Sequence, residues 1–266
     1  MLGGDFFLRE LIIYFAIYSF LGWLSETIYC YIIDKKFTYR GFLYGPVCPI
    51  YGFGGIIVTE CLRGMKGNII EVFFGGMILA SILEYITSYV LQKLFNMKWW
   101  DYSEHKFNIN GRVCLLNSTM FGILAVVIVY VLEPLCKNTV VSIPHKILYP
   151  LSALITTVFI VDTIFTVAHL IHLREHLASL TNIKDELKAL NIKVESFGEA
   201  GVRKLKQELE KRKGQNNDRL EKLLLKLDNL KKEGKESNRI LKAFPHAKHT
   251  KHHNHLKDLK SLISGK

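Results

Sequence analysis

The chain has 266 residues, 49% of them hydrophobic, with a mean hydropathy of +0.17 and a formal charge of +11. That is the composition of a membrane protein carrying a soluble appendage. Five cysteines (Cys30, Cys48, Cys61, Cys114 and Cys136) are an odd number without metal-ligand spacing, which excludes a disulfide framework and a zinc site and leaves them as buried thiols.

Charge divides the chain at about Leu173. Up to that residue twelve Lys or Arg face eleven Asp or Glu, a balance of +1, whereas the remainder carries +10. The organisation expected is a transmembrane helix bundle over 1–173, a basic amphipathic helical region over 174–243, and a disordered His- and Lys-rich tail over 244–266. Anionic headgroups or an acidic partner protein suit the basic region better than nucleic acid does.

Five runs approach the ~20 apolar residues a spanning helix needs. They are Phe7 to Ile33, Phe42 to Leu62, Ile70 to Phe95, Val113 to Leu135, and Leu148 to Leu173. Arg9 opens the first, but the run exceeds a signal-peptide core and no small-residue cleavage site follows, so it is expected to stay as a membrane helix. The second contains Pro46, Pro49 and several glycines, so its first half is expected to be broken or re-entrant. The fold class is all-α: a polytopic bundle of about five spans followed by a helical hairpin or coiled coil.

Between the third and fourth runs lies Trp99 to Arg112, WWDYSEHKFNINGR, the longest polar passage before Leu173. Its two tryptophans predict a loop at the bilayer interface, with the rings among headgroups. With the tail cytoplasmic, the inner connections carry seven Lys or Arg and the outer ones five, a bias in the direction of the positive-inside rule. The location expected is the cell membrane. If the second run did not cross, the N-terminus would change sides.

Beyond the last span a stripe continues through Leu173, Leu177, Leu180, Ile183, Leu187, Leu190, Val194 and Phe197, the signature of an amphipathic helix leaving the membrane. Further stripes (Val202, Leu205, Leu209, then Leu220, Leu223, Leu227, Leu230) are set off by glycines. They give the tail a surface for a partner. The end of the chain holds five of the ten histidines, but ligands on an unstructured tail lack groups to orient them, and no metal or cofactor is assigned.

Carboxylates inside membrane helices cost a few kcal/mol on insertion scales, so each requires an explanation. Glu26, Glu84 and Asp162 lie in the first, third and fifth runs, which point the same way in a five-span topology. They lie about 10 to 17 Å from the inner ends at about 1.5 Å per residue. Small and polar neighbours of Glu84 (Ala80, Ser81, Thr87, Ser88) and the series Asp162, Thr166, His169 suggest a shared interior face. Arg40 with Tyr44 precedes the second run, and Arg112 with Asn117 opens the fourth. The site expected is a cytoplasm-facing polar cavity lined by Glu26, Tyr44, Glu84, Asn117 and Asp162, with Arg40 and Arg112 at its mouth and Asp101 and Tyr102 folded over it. The competing explanation is packing, since interhelical hydrogen bonds of under about 1 kcal/mol also retain such residues.

There is no Walker loop, dinucleotide fingerprint, HExxH or GxSxG elbow, so no catalytic residue is assigned and the weight falls against an enzyme. Glu, Asp, Arg and Tyr can nonetheless support acid–base chemistry, and an enzyme acting on a lipid or isoprenoid phosphate is the alternative, with the arginines holding phosphate. A membrane scaffold that recruits a partner through its tail is the third reading.

The segments RGFLYGPVCPIYGFG (Arg40 to Gly54), LEYITSY (Leu83 to Tyr89) and WWDYSEHKFNINGRVCL (Trp99 to Leu115) resemble the CmpB family of bacterial membrane proteins, described as ABC-transporter permeases of type IV. The likeness covers the spans, Phe7 to Leu173. It implies a multi-pass membrane protein, and the polar cavity read from the residues is expected to bind or move a small polar or lipid-like substrate. Because the chain has no nucleotide site, it also implies a separate ATPase subunit.

Overall fold

The computed structural model describes residues 2–35, 37–189, 192, 202–207, 217–233, 238–244 and 247–249. The expected disordered tail beyond His249 lies outside them, as do Leu190, Val194, Phe197 and Leu209 of the predicted stripes. The chain divides into two compact units, Met1–Lys93 with Trp99–Thr166, and Leu94–Lys98 with Val167–Lys266.

Helices dominate: α1 (Leu2–Asp34), α2 (Pro49–Cys61), α3 (Ile69–Phe95), α4 (Leu115–Val127), α5 (Glu133–Val141) and α6 (His145–Ala189). A π-helical turn at Ile128–Leu132 joins α4 to α5, making one apolar run Leu115–Val141. Among the described residues, four helices are long and apolar enough to cross a membrane: Phe7–Ile33, Ile69–Phe95, Leu115–Val141 and His145–Ala189. The fold is therefore the all-α membrane bundle expected.

The second apolar run behaves differently from its neighbours. Only its latter part is helical, 13 residues or roughly 20 Å at 1.5 Å per residue, short of the ~30 Å hydrocarbon core. Pro49 opens α2 in the first helical turn, where the missing N–H is not needed. Before it the chain is irregular from Phe37 to Cys48, held by Cys48 N–H donating to the Ser19 carbonyl at 2.9 Å.

Small residues set the directions of the helices in the first unit. A methyl group at Gly22 would overlap Tyr51, one at Gly52 would overlap Ser19, and one at Gly55 would meet Tyr18 at 2.5 Å, so α2 runs antiparallel to α1 and closely against it. Gly54 faces Leu83, and Gly75 faces Leu62, so α3 runs antiparallel to α2. Ser81 donates to Ser118 at 2.7 Å and Gly76 abuts Ala125, which makes α4 antiparallel to α3. Arg9 donates to Ser152 at 3.2 Å while Phe15 meets Phe159 at 5.0 Å, so α6 is parallel to α1. The three helices bearing Glu26, Glu84 and Asp162 therefore point the same way, as the alternation of a five-segment bundle requires.

The apolar core of this unit is built on Tyr18, Val58, Leu62, Val72, Ala125 and Val129, with Ile13, Val140 and Leu148 forming a second cluster. Outward-facing residues such as Ile78, Ile82, Ile86, Leu154 and Ile164 are exposed, as lipid-facing positions should be.

In the second unit α6 runs unbroken to Ala189, so the last span and the first leucine stripe form one 45-residue helix. Leu173, Leu177, Leu180, Ile183 and Leu187 are buried, and so are Leu223, Leu227 and Leu230 on the helix Asn217–Glu233. Lys226 reaches Glu186 at 3.7 Å, which sets these two helices side by side. A short strand β1 (Met97–Lys98) pairs antiparallel with Lys248–His249.

Candidate functional site

The polar residues gather where α1 and α3 end and where α2 and α4 begin. Each carboxylate has its own partners. On α1, Glu26 lies 4.0 Å from Arg40 Nε and accepts a hydrogen bond from the Cys48 thiol at 3.7 Å. Arg40 Nε also donates to Cys30 Sγ at 2.9 Å, one helical turn beyond Glu26. On α6, Asp162 accepts the backbone N–H of Tyr44 at 2.8 Å and that of Gly45 at 2.7 Å, and Thr166 adds a third donor at 3.3 Å. Asp162 thus takes up two amides that the irregular chain cannot satisfy through a helix ladder.

Glu84 on α3 is 5% exposed and has fewer partners. Its Oε1 accepts from the Tyr102 hydroxyl at 3.2 Å, and that same hydroxyl accepts the Asn117 side-chain amide. Its Oε2 is buried without a hydrogen-bond partner. Burial, and then the Glu84 carboxylate beside it, push the Tyr102 phenol above its ordinary range, so Tyr102 stays protonated and acts as a donor. The ring of Tyr51, in the first turn of α2, lies within electrostatic reach of both Glu26 and Glu84. Glu26, Tyr51, Tyr102, Asn117 and Glu84 therefore form one connected region, with Asp162 fixing the chain just before α2.

The loop between α3 and α4 is folded on itself. Strands β2 (Asn108–Ile109) and β3 (Val113–Cys114) form a hairpin, with Asn110 and Gly111 at positive φ. A side chain at Gly111 would strike Asp101 Oδ1 at 2.6 Å, so the turn requires glycine on both counts. Asp101 turns back on Ser103, accepting from its backbone N–H at 3.2 Å and its hydroxyl at 2.5 Å. Trp100 donates to the Arg112 carbonyl at 2.9 Å. Trp99 departs from the interfacial position expected for it. It is 3% exposed and meets Phe42 edge-on at 5.4 Å, because the irregular part of the second segment offers an apolar surface closer than the headgroups.

The two arginines expected at the mouth are held by the protein. Arg112 lies over the rings of Tyr85 and Tyr89, 5.5 and 5.3 Å from the centroids, and reaches Ser88 at 3.5 Å. Arg40 is held by Glu26 and Cys30. Tyr44 contributes its backbone, while its side chain is 39% exposed. Cys48 and Tyr51 were not among the residues the sequence nominates. In an aromatic, apolar run such residues read as packing, and the only available sign was their position beside Pro49.

Among the described residues no group of three or more His, Cys, Asp or Glu could hold a metal ion. The arrangement is a set of carboxylates, phenols and amides at one end of a bundle with four helices long and apolar enough to cross a membrane, which defines a multi-pass membrane protein with a polar end. The family described as "Putative ABC-transporter type IV", CmpB, matches residues 13–167, more than half of the chain, and the chain belongs to that family. No curated protein and no solved structure matches it.

Proposed function

We propose that the chain is the membrane-spanning subunit of a transporter whose polar end faces the cytoplasm and receives a small polar or lipid-like solute. The observation that carries this reading is Glu84, a buried carboxylate on a membrane helix with one oxygen left without a partner. Leaving one buried carboxylate oxygen bare, with no ion pair on the other, costs about 1–3 kcal/mol, a cost that a bound solute would offset. Tyr102 and Asn117 stand beside it, and Glu26, Arg40, Tyr44, Asp101, Arg112 and Asp162 belong to the same polar end. The basic tail lies on the cytoplasmic side, next to anionic lipids.

Energy for transport comes from a separate ATPase subunit, in keeping with the family's description and with the lack of a nucleotide motif in this chain. The test is isolation of the tagged full-length protein from gently solubilised membranes. ATPase activity that co-elutes, together with nucleotide-dependent solute uptake into membrane vesicles lost in Glu84→Gln, is the expected result. A chain that elutes alone and vesicles that show no nucleotide-dependent uptake would overturn it.

A further inference from the structure

We propose that Glu84 Oε2 is the docking point for a small monovalent cation: the charged group of an ammonium-type solute or an alkali metal ion. This rests on the polar end being where solute is received, and it names the class of ligand taken there.

An ionised carboxylate only accepts hydrogen bonds. Glu26 and Asp162 have their acceptors engaged, the first by Arg40 and Cys48, the second by two backbone amides and Thr166. Glu84 differs. The Tyr102 phenol donates to Oε1, Asn117 is a further donor toward the same carboxyl, and Oε2 is buried and bare. Protein cations are kept off it. Arg112 reaches Ser88, one turn along α3 from Glu84, but its guanidinium lies over Tyr85 and Tyr89. Asn117, the other donor at hand, gives its amide to the Tyr102 oxygen.

Glu84 supplies the charge, Tyr102 holds a neutral phenol on its other oxygen, and the Tyr51 phenol feels the same carboxylate; neutral phenols and aromatic faces favour cations and disfavour anions. A buried carboxylate without a counter-charge is costly, and a mobile cation supplies one without a permanent ion pair. A phosphate or carboxylate solute would meet Glu84 with like charge.

The experiment uses the full-length protein in lipid nanodiscs, without ATPase or nucleotide, so that binding here is separable from transport. Methylammonium, ammonium, sodium and potassium chloride are titrated at constant ionic strength maintained by a bulky organic cation, and the thermal unfolding midpoint is followed. A saturable rise is expected for at least one of the four. A response to methylammonium and ammonium alone assigns an amine-bearing solute, and a response to sodium or potassium assigns a metal ion. Glu84→Gln should raise the half-saturating concentration about tenfold or more, and Glu84→Asp, which withdraws the same charge by one methylene, by less. No saturable rise with any of the four, a response to pH alone, or native affinity in Glu84→Gln overturns the proposal. If Glu84→Gln fails to fold, native affinity in Glu84→Asp overturns it. Lack of an ATPase partner would sink the transport reading and leave this binding intact.

Discussion

Gly45 rests on Asp162: its amide donates to Oδ2 at 2.7 Å, and a methyl group in place of its hydrogen would lie 3.1 Å from the same oxygen. With the Tyr44 amide on Oδ1, one carboxylate on α6 fixes the irregular chain that leads into α2. Asp162→Ala removes the acceptor of two backbone donors and should destabilise the bundle by about 1–3 kcal/mol, the cost of one buried unsatisfied group, since the Tyr44 amide is exposed. Gly45→Ala, which only requires the carboxylate to shift by a few tenths of an ångström, should cost less. Thermal unfolding gives the ranking, and thiol labelling of the now-buried Cys48 reports whether the segment has loosened. Labelling of Cys48 unchanged in Asp162→Ala would show that the anchor is not needed.

The sequence made the carboxylates and their shared direction legible for a simple reason. Acidic residues are expensive in apolar helices, and alternating spans leave the first, third and fifth parallel. The partners were not legible. Asp162 binds backbone amides, which carry no residue signature, and the sequence puts Arg112 at the cavity mouth because the faces of Tyr85 and Tyr89 can be seen only once the loop is folded. The Asp101 turn was within reach of sequence reasoning from Ser103 two residues on, a short-range pattern of aspartate accepting local amides. Burial of Trp99 could not, since a tryptophan pair before a polar loop satisfies the interfacial pattern equally well.

Tyr102 links loop to membrane helix, and its phenol is held above the ordinary value of about 10 by burial and by Glu84. A group that binds its proton more tightly when folded contributes stability that is complete below the unfolded value and falls as pH rises above it. The native protein should therefore lose stability above about pH 10 more steeply than Tyr102→Phe. Unfolding midpoints measured across the alkaline range check this. Parallel curves for the two proteins would mean that the phenol is not shielded as the geometry indicates. At neutral pH the variant should be less stable by about 1–3 kcal/mol, because the bond to Glu84 and the bond from Asn117 are both lost.

At the opposite end of the bundle, Lys66 reaches Glu133 at 2.6 Å, and the Lys66 carbonyl accepts from Tyr130 at 2.8 Å. Tyr130 lies in the π turn, and Glu133 is 15% exposed with its second oxygen unpartnered. Lys66→Ala would leave this carboxylate without a counter-charge. Removing one partner of a fully buried pair costs about 3–5 kcal/mol, but Lys66 is 38% exposed, so screening reduces the expectation to about 1–2 kcal/mol. The double variant with Glu133→Gln should recover most of that loss, because the stranded charge is gone. A double-mutant cycle in thermal unfolding reads the coupling directly, and simple additivity would show that the pair contributes nothing.

The orientation of the bundle can be read with thiols. Cys61, at the end of α2, is the exposed cysteine of the five, the others being buried. It lies at the end of the first unit opposite the loop that holds Ser103, since α2 runs away from the polar end and α3 returns to it. If the polar end faces the cytoplasm, a membrane-impermeant maleimide should label native Cys61 in intact cells or right-side-out vesicles. In a Cys61→Ser background, Ser103→Cys should then be labelled only in inverted vesicles. Ser103 is exposed and donates its hydroxyl to Asp101, so the replacement leaves the helices untouched. Labelling of both positions from the same side would mean that α3, which lies between them, does not carry the chain across the membrane. Labelling of Ser103→Cys from outside and of Cys61 from inside would keep the bundle but invert it, placing Glu84 and its neighbours at the outer face.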